Sequence, residues 1–343
     1  MKPIAITLGD PCGIGPEIVL KAFAAGLPAP AVVVGDPALL AREAERLRLP
    51  LTIRTIASAE ALAGPLAESA PAGPGVSVPV LATTALPDDL PVGSVDARAG
   101  DAAYRCIARA AMLAMRGEVR AVVTAPINKE ALHRAGHDYP GHTELLAELA
   151  GNVPVRMMLA NHELRTVLVT IHLALRDALN ALSRELIGET IAITHDALRR
   201  AGIASPRIAV AGVNPHAGEG GAFGREEIDL VAPAIADARA RGIDATGPHP
   251  PDTVFMQARG FARYDVVVAM YHDQGLIPVK YLGIEDGVNI TIGLPYVRTS
   301  PDHGTAFDIA GRLDAEGRGL ADPRSLLGAI RQADALAAGP RRS

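Results

Sequence analysis

The sequence predicts an α/β fold built as two α/β/α domains with a cleft between them, and three observations carry that prediction. Short apolar runs alternate with longer helical patterns, helix-start signals stand where the alternation needs helices, and 343 residues exceed one small core. The runs are "IAITLG", "AVVVGD", "LTIRTI", "AVVTAP", "TVLVTIH", "RIAVAGVNPH", "DVVVAMYH" and "GVNITIG", all strand-length and rich in β-branched residues. Residues 97–116 and 183–201 repeat apolar side chains at three and four, the spacing of a buried helix face. Asp36-Pro37 and Asp322-Pro323 each set a capping carboxylate before a proline suited to the first helical turn. Such alternation implies sheets covered by helices on both faces.

Two stretches depart from it. In "VPVRMMLANHELRTVLVTIH" two strand-like runs are separated only by a short polar stretch around Asn161 to Glu163, which predicts an antiparallel hairpin and hence a mixed sheet mid-chain. Residues 64–96, rich in Pro and Gly, read as an irregular excursion with one strand near 76–82.

Composition narrows the function. With 49% hydrophobic residues, 3% aromatic and no Trp, the core must be built from Ala, Val, Leu and Ile. A net charge of -5 with scattered basic residues argues against nucleic acid, which demands clustered Lys and Arg. "MKPIAITLGDP" has no signal-peptide pattern, and no apolar run approaches the ~20 residues of a membrane span, so neither export nor a membrane partner is expected. Cys12 and Cys106 form no CxxC pair or disulfide framework, which fits a reducing cytoplasm.

Three strand-like runs end in histidine, at His172, His216 and His272. Carboxyl ends of strands line the ligand crevice of open α/β sheets, so these imidazoles are candidates to converge on a divalent metal with open positions for substrate. A histidine at a strand end can equally be a loop residue bonded to a carbonyl, and "HELRT" lacks the second His of the helical zinc pattern. Asp273 orients a ligand, binds the metal itself or lies in a solvated turn. "GDPCGIGPE" and "NPHAGEGGAFGREE" join glycines to helix starts, as anion loops do, though neither completes the Rossmann fingerprint, and a tight turn in the first and a flexible loop in the second are the alternatives. "PGHTE" places His142 and Thr143 at a helix start, where Thr143 could cap it. Lys280, Asn289 and Arg298 supply two cations and an amide, the needs of a phosphate monoester.

Together, "GDPCGIGPE", "TAPINKEALHRAG", "YPGHTELLA", "GVNPHAGEGGAFGREE", "PPDTVF", "YHDQGLIPVK" and "GVNITIGLPYVRTSPDHGTAFDIAG" resemble the 4-hydroxythreonine-4-phosphate dehydrogenase family of vitamin B6 biosynthesis. That family includes paralogues acting on 4-phospho-D-threonate or 4-phospho-D-erythronate, and the match runs from residue 4 to about 311. More distantly, "GIGPE" and "HGTAFDIAG" resemble the isocitrate and isopropylmalate dehydrogenases, which bind NAD without a Rossmann fingerprint.

The resemblance implies an NAD- or NADP-dependent, metal-dependent oxidative decarboxylase. His172, His216 and His272 match the family's metal ligands, in a site completed across a homodimer interface. His142, Thr143, Lys280, Asn289 and Arg298 match its substrate-binding positions, and His303, Gly304 and Asp308 lie in a segment like the superfamily's cofactor loop. An all-histidine shell favours zinc, with magnesium, cobalt or manganese as alternatives. The implied chemistry oxidises the 3-hydroxyl by hydride transfer to the nicotinamide and loses the carboxylate as carbon dioxide. Residues 1–127 with 303–343 are then the cofactor-side domain, and 128–302 the metal, substrate and dimerisation domain. The substrate read first is 4-hydroxythreonine 4-phosphate, although "ARAGDAAYRC", "GPHPPDTVF" and "LIPVK" look more like the phospho-sugar-acid paralogues. A metal-dependent phosphatase or hydrolase and a non-catalytic anion-binding protein are the rivals from other classes.

Overall fold

A computed structural model describes residues 1–58, 75–283 and 287–338. In chain order the strands and helices begin with β1 (Ile4–Thr7), α1 (Gly15–Ala25), β2 (Ala31–Gly35), α2 (Pro37–Arg46), β3 (Leu51–Ile56) and β4 (Val76–Ala82). They continue with α3 (Ala97–Met115), β5 (Ala121–Thr124), α4 (Lys129–Arg134), α5 (His142–Leu149), β6 (Arg156–Ala160) and β7 (Arg165–Leu168). Next come α6 (Leu175–Asn180), α7 (Arg184–Arg200), β8 (Ile208–Ala211), α8 (Ala232–Ala240), β9 (Ala245–His249) and α9 (Val254–Ala258). Last are β10 (Val266–Ala269), α10 (His272–Leu282), β11 (Val288–Ile292), β12 (Val297–Pro301) and α11 (Arg324–Ala337). The eight apolar runs named above are therefore strands, and β4 lies at the expected 76–82. Most of the Pro/Gly stretch before it falls outside the described residues.

Two compact units emerge, Met1–Val153 with Leu294–Ala337, and Pro154–Gly293. In the first, the described strands run in the order β3-β4-β2-β1-β5-β12 and every pairing is parallel. Parallel strands need both faces covered, and β1, β2 and β5 are buried at every residue. One helix group, α1, α2 and α11, and another, α3, α4 and α5, supply the cover. Asp36 caps α2 by accepting from Ala38 N at 2.8 Å and Leu39 N at 3.0 Å, as its position before proline predicts. Asp322 does the same for α11, accepting from Arg324 N at 2.9 Å.

The second unit orders its described strands β11-β6-β7-β10-β8-β9. β11 and β7 flank β6 antiparallel, while β7, β10, β8 and β9 run parallel. The expected hairpin is β6–β7, closed by Asn161, whose side chain accepts from Glu163 N and Leu164 N, both at 2.8 Å. Its core joins Leu159, Leu168, Val267 and Leu276, with α7 and α8 in one helix group and α9 and α10 in another.

The unit boundaries differ from the expected 127/128 and 302/303. α4 and α5 stay with the first unit because α3 packs on both, closely enough that a Cβ on Gly100 would meet the Ala131 carbonyl oxygen at 2.0 Å. β12 stays there because it pairs with β5. His142, Thr143 and Arg298 consequently belong to the first unit.

Candidate functional site

In the second unit His172, His216 and His272 all follow parallel strands, β7, β8 and β10, and β10 lies between the other two. Polar stitches fix these strand ends. Thr170 Oγ1 donates to the Met270 carbonyl at 2.8 Å, tying β7 to β10. Buried Gln274 accepts from Met270 N at 2.7 Å and donates to the Gly212 carbonyl at 2.8 Å, tying β10 to β8.

His172 and His272 come together, with ring centroids 5.7 Å apart and planes tilted by 43°. They line a cleft of about 260 Å³ together with Thr170, Leu173, Tyr271 and Asp273. His272 Nδ1 donates to Asp273 Oδ1 at 2.8 Å, which leaves Nε2 as the nitrogen that could bind a cation. Among the readings of Asp273, the orienting one therefore has a contact behind it.

His216 does not join the pair. Among the described residues no three His, Cys, Asp or Glu side chains gather as a metal-holding group. Adjacent strands are ~4.8 Å apart, so β8 stands roughly 10 Å from β7, and the His216 ring lies 6.2 Å from Phe223 instead. Within one chain the two nearer imidazoles fit part of a metal shell.

Both His172 (φ 51°) and His216 (φ 52°) adopt the left-handed region, which is costly for residues with a Cβ, about 1–2 kcal/mol each. His216 begins a run of six residues with positive φ through Gly221. Strain of this kind persists only where the surroundings impose it. Buried Glu227 holds the backbone that enters the His216 run: its Oε1 accepts from Val213 N and Asn214 N, both at 2.7 Å, and its Oε2 from Asn214 Nδ2 at 3.0 Å. Burial opposes ionisation of Glu227, but these donors outweigh it and hold the carboxyl below the usual range. The glycine loop thus closes on a carboxylate of its own.

The second candidate group lies in the first unit. Arg298 is 2% exposed, and its Nη2 donates to Thr124 Oγ1 on neighbouring β5 at 2.6 Å. Burial pushes its guanidinium down to about 10, which still leaves it charged at neutral pH. His142 is driven well below 6.5, first by burial and then by the Arg298 charge, and is neutral. Burial raises Tyr296 to about 12, with Arg298 opposing. His142 Nε2 and Tyr296 Oη are enclosed without hydrogen-bond partners among the described residues. A buried cation beside two unsatisfied polar atoms is prepared for an anionic ligand.

α5 begins at His142 with Gly141 as its cap residue, so Thr143 sits within the first turn and does not cap it. Lys280 lies on α10 and Asn289 on β11, both in the second unit, where Asn289 Oδ1 is enclosed without a hydrogen-bond partner among the described residues. His303, Gly304 and Asp308 are exposed in the loop after β12. That loop meets the one after β1, where Ile14 N donates to the Thr305 carbonyl at 3.0 Å.

The first glycine loop has the bonding of a tight turn, because its leading N–H groups are consumed internally. Cys12 N donates to Asp10 Oδ1 at 2.8 Å and Gly13 N to the Asp10 carbonyl at 3.1 Å. Asp10 is buried, its Oδ2 has no partner among the described residues, and burial raises it to about 6 despite the Cys12 and Asn128 N–H groups. Sequence reasoning passed over Asp10, Tyr296 and Glu227, although each stands inside a motif it quoted. Cys12 and Cys106 are both buried and free, with thiols pushed up to about 12 by burial. No helix among the described residues is long and apolar enough to cross a membrane.

Comparison with known proteins gives concordant results. The family model described as "Pyridoxal phosphate biosynthetic protein PdxA" matches residues 28–333. A 4-hydroxythreonine-4-phosphate dehydrogenase of Beijerinckia indica is 55% identical over 328 residues, covering 94% of this chain and 92% of that protein. A D-threonate 4-phosphate dehydrogenase of Salmonella typhimurium is 52% identical over 323 residues, covering 93% and 96%. The crystal structure of a 4-hydroxythreonine-4-phosphate dehydrogenase from Klebsiella pneumoniae superimposes with a TM-score of 0.88 at 50% identity, covering 98% of each chain.

Proposed function

The chain belongs to the PdxA family of pyridoxal phosphate biosynthetic proteins and is an enzyme of the dehydrogenase class; from that premise we propose that it oxidises and decarboxylates 4-hydroxythreonine 4-phosphate, using NAD or NADP and a divalent metal. The observation that carries the metal-dependent reading is the His172–His272 pair, two imidazoles on a cleft at neighbouring parallel-strand ends. Nitrogen donors of this kind favour zinc over magnesium, with cobalt and manganese as further candidates.

A bound cation would supply Lewis acidity that eases deprotonation of the 3-hydroxyl and steadies the negative charge left when carbon dioxide departs. His172 and His272 hold it, Asp273 orients His272, and His216 is the third ligand in a site completed by homodimerisation. Exposed Leu173, Leu175, Ile277 and Tyr281 of the second unit support a covered surface there. Arg298 and Lys280 bind the phosphate, with His142, Thr143 and Asn289 as further substrate contacts. Gripping the phosphate spends remote binding energy on aiming C3 at the nicotinamide. His303, Gly304 and Asp308 contribute to the cofactor surface. The buried, unpaired cysteines support residence in a reducing cytoplasm.

The near-equal identity to the D-threonate 4-phosphate enzyme supports a second substrate reading, with a hydroxyl replacing the amine at C2. Purified protein loaded with Zn2+ is assayed with NAD and with NADP against both substrates and 4-phospho-D-erythronate. Formation of reduced nicotinamide, fastest with 4-hydroxythreonine 4-phosphate, is expected. Faster turnover of a hydroxyl substrate selects the second reading. Phosphate release without nicotinamide reduction points to a hydrolase, and reduction of neither cofactor with any substrate overturns both dehydrogenase readings.

A further inference from the structure

The left-handed turn carrying His216 is built around one carboxylate. Six consecutive residues, His216 to Gly221, have positive φ, and three of them carry a Cβ. Three hydrogen bonds to Glu227 hold the backbone that enters the turn, from Val213 N, Asn214 N and Asn214 Nδ2. The same carboxylate lies against the middle of the turn, where a Cβ on Gly218 would stand 2.6 Å from Glu227 Oε2. Gly212, at the end of β8, would place a Cβ 3.0 Å from Glu227 Oε1. Glu227 itself opens a π-helical turn, Glu227–Val231, an uncommon element that recurs at functional sites.

We propose that Glu227 is the positioning residue for His216: its buried carboxylate is the template on which the turn folds, and so sets where the imidazole points. Glu227 touches neither substrate nor cation and acts only through the turn. This rests on the reading of His216 as a metal ligand.

The test is titration of the metal-free, full-length protein with Co2+ alone, following the visible absorption of the bound ion, alongside thermal melting. H216A reports on the reading and E227Q on the proposal. E227Q keeps an acceptor for the two backbone N–H groups but turns an NH2 toward Asn214 Nδ2, loosening the clamp without emptying the site. The expected result is an altered Co2+ spectrum and about 10–100-fold weaker binding in E227Q, at a melting temperature close to wild type, with a larger loss in H216A. In the loaded enzyme kcat should fall more than KM rises. Wild-type Co2+ affinity and spectrum in E227Q, with H216A impaired, overturns the proposal and leaves the reading intact. Unchanged affinity in H216A overturns the reading and the proposal with it. Should E227Q not fold, G218A presses on the same carboxylate from the other side, and wild-type Co2+ binding by folded G218A overturns the proposal.

Discussion

His172 and His272, at the carboxyl ends of two paired parallel strands, hold their ring centroids 5.7 Å apart over a shared cleft. The pairing of β7 with β10 brings them there, and the Asp273 contact occupies Nδ1 of His272, leaving Nε2 as its remaining ring nitrogen.

Asp273→Asn should therefore weaken metal binding with little effect on folding. Asp273 is 74% exposed, so its contribution lies in the charge and orientation it gives His272. Equilibrium dialysis against Zn2+ should show about 10–100-fold lower affinity, whereas an unchanged affinity would remove Asp273 from the site.

His142 should give the fold a pH dependence below neutrality. Its folded pKa lies well below the unfolded 6.5, so the folded state prefers the neutral ring. The stabilisation is fully present above 6.5 and is lost as pH falls below it, at up to about 1.4 kcal/mol per pH unit. Urea unfolding from pH 7 downward should show a shallower decline in His142→Gln. Resolved imidazole resonances should show no titration of His142 near pH 6.5.

Asp10 works in the opposite sense. Its folded pKa of about 6 stands above the unfolded 3.8, so its contribution is most favourable below 3.8 and declines as pH rises to 6. Asp10→Asn retains the acceptor for Cys12 N and removes the buried charge. It should gain stability relative to wild type by on the order of 2 kcal/mol between pH 4 and pH 8. Parallel denaturation curves that keep the same separation at both pH values would contradict this.

Arg298→Met should separate stability from function. Replacing a buried charge with an apolar side chain of similar length is often neutral or stabilising, while loss of a charge-assisted phosphate contact is expected to raise KM about 10–100-fold. A melting temperature held or raised together with weakened substrate binding would fit a guanidinium kept for its ligand. An unchanged KM would assign Arg298 to the fold alone.

Much of this was legible in the chain because parallel strands buried on both faces read as continuous apolar runs, as "AVVVG" and "VVVA" do. The three histidines were legible for the same reason, since a polar residue ending such a run marks the carboxyl edge of a sheet. What the pattern did not carry were properties set by distant neighbours. The burial of Asp10 depends on loops after β1, β5 and β12 meeting. The backbone entering the turn at His216 is held by Glu227, thirteen or fourteen residues on, and the placing of α4 rests on the close approach of α3 at Gly100. Of the two readings of Thr143, capping is excluded because Gly141 takes the cap position, earlier than the sequence alone marks.

The first unit's sheet is assembled from two distant stretches of chain, and that has a consequence during synthesis. β5 emerges from the ribosome long before β12, its partner on one side, and α11, which packs on both strands, comes later still. Until then a strand edge stands bare while the whole of Pro154–Gly293 is translated and able to fold. A nascent chain halted before Leu294 should be an aggregation-prone species that chaperones hold, competent in its second unit and incomplete in its first.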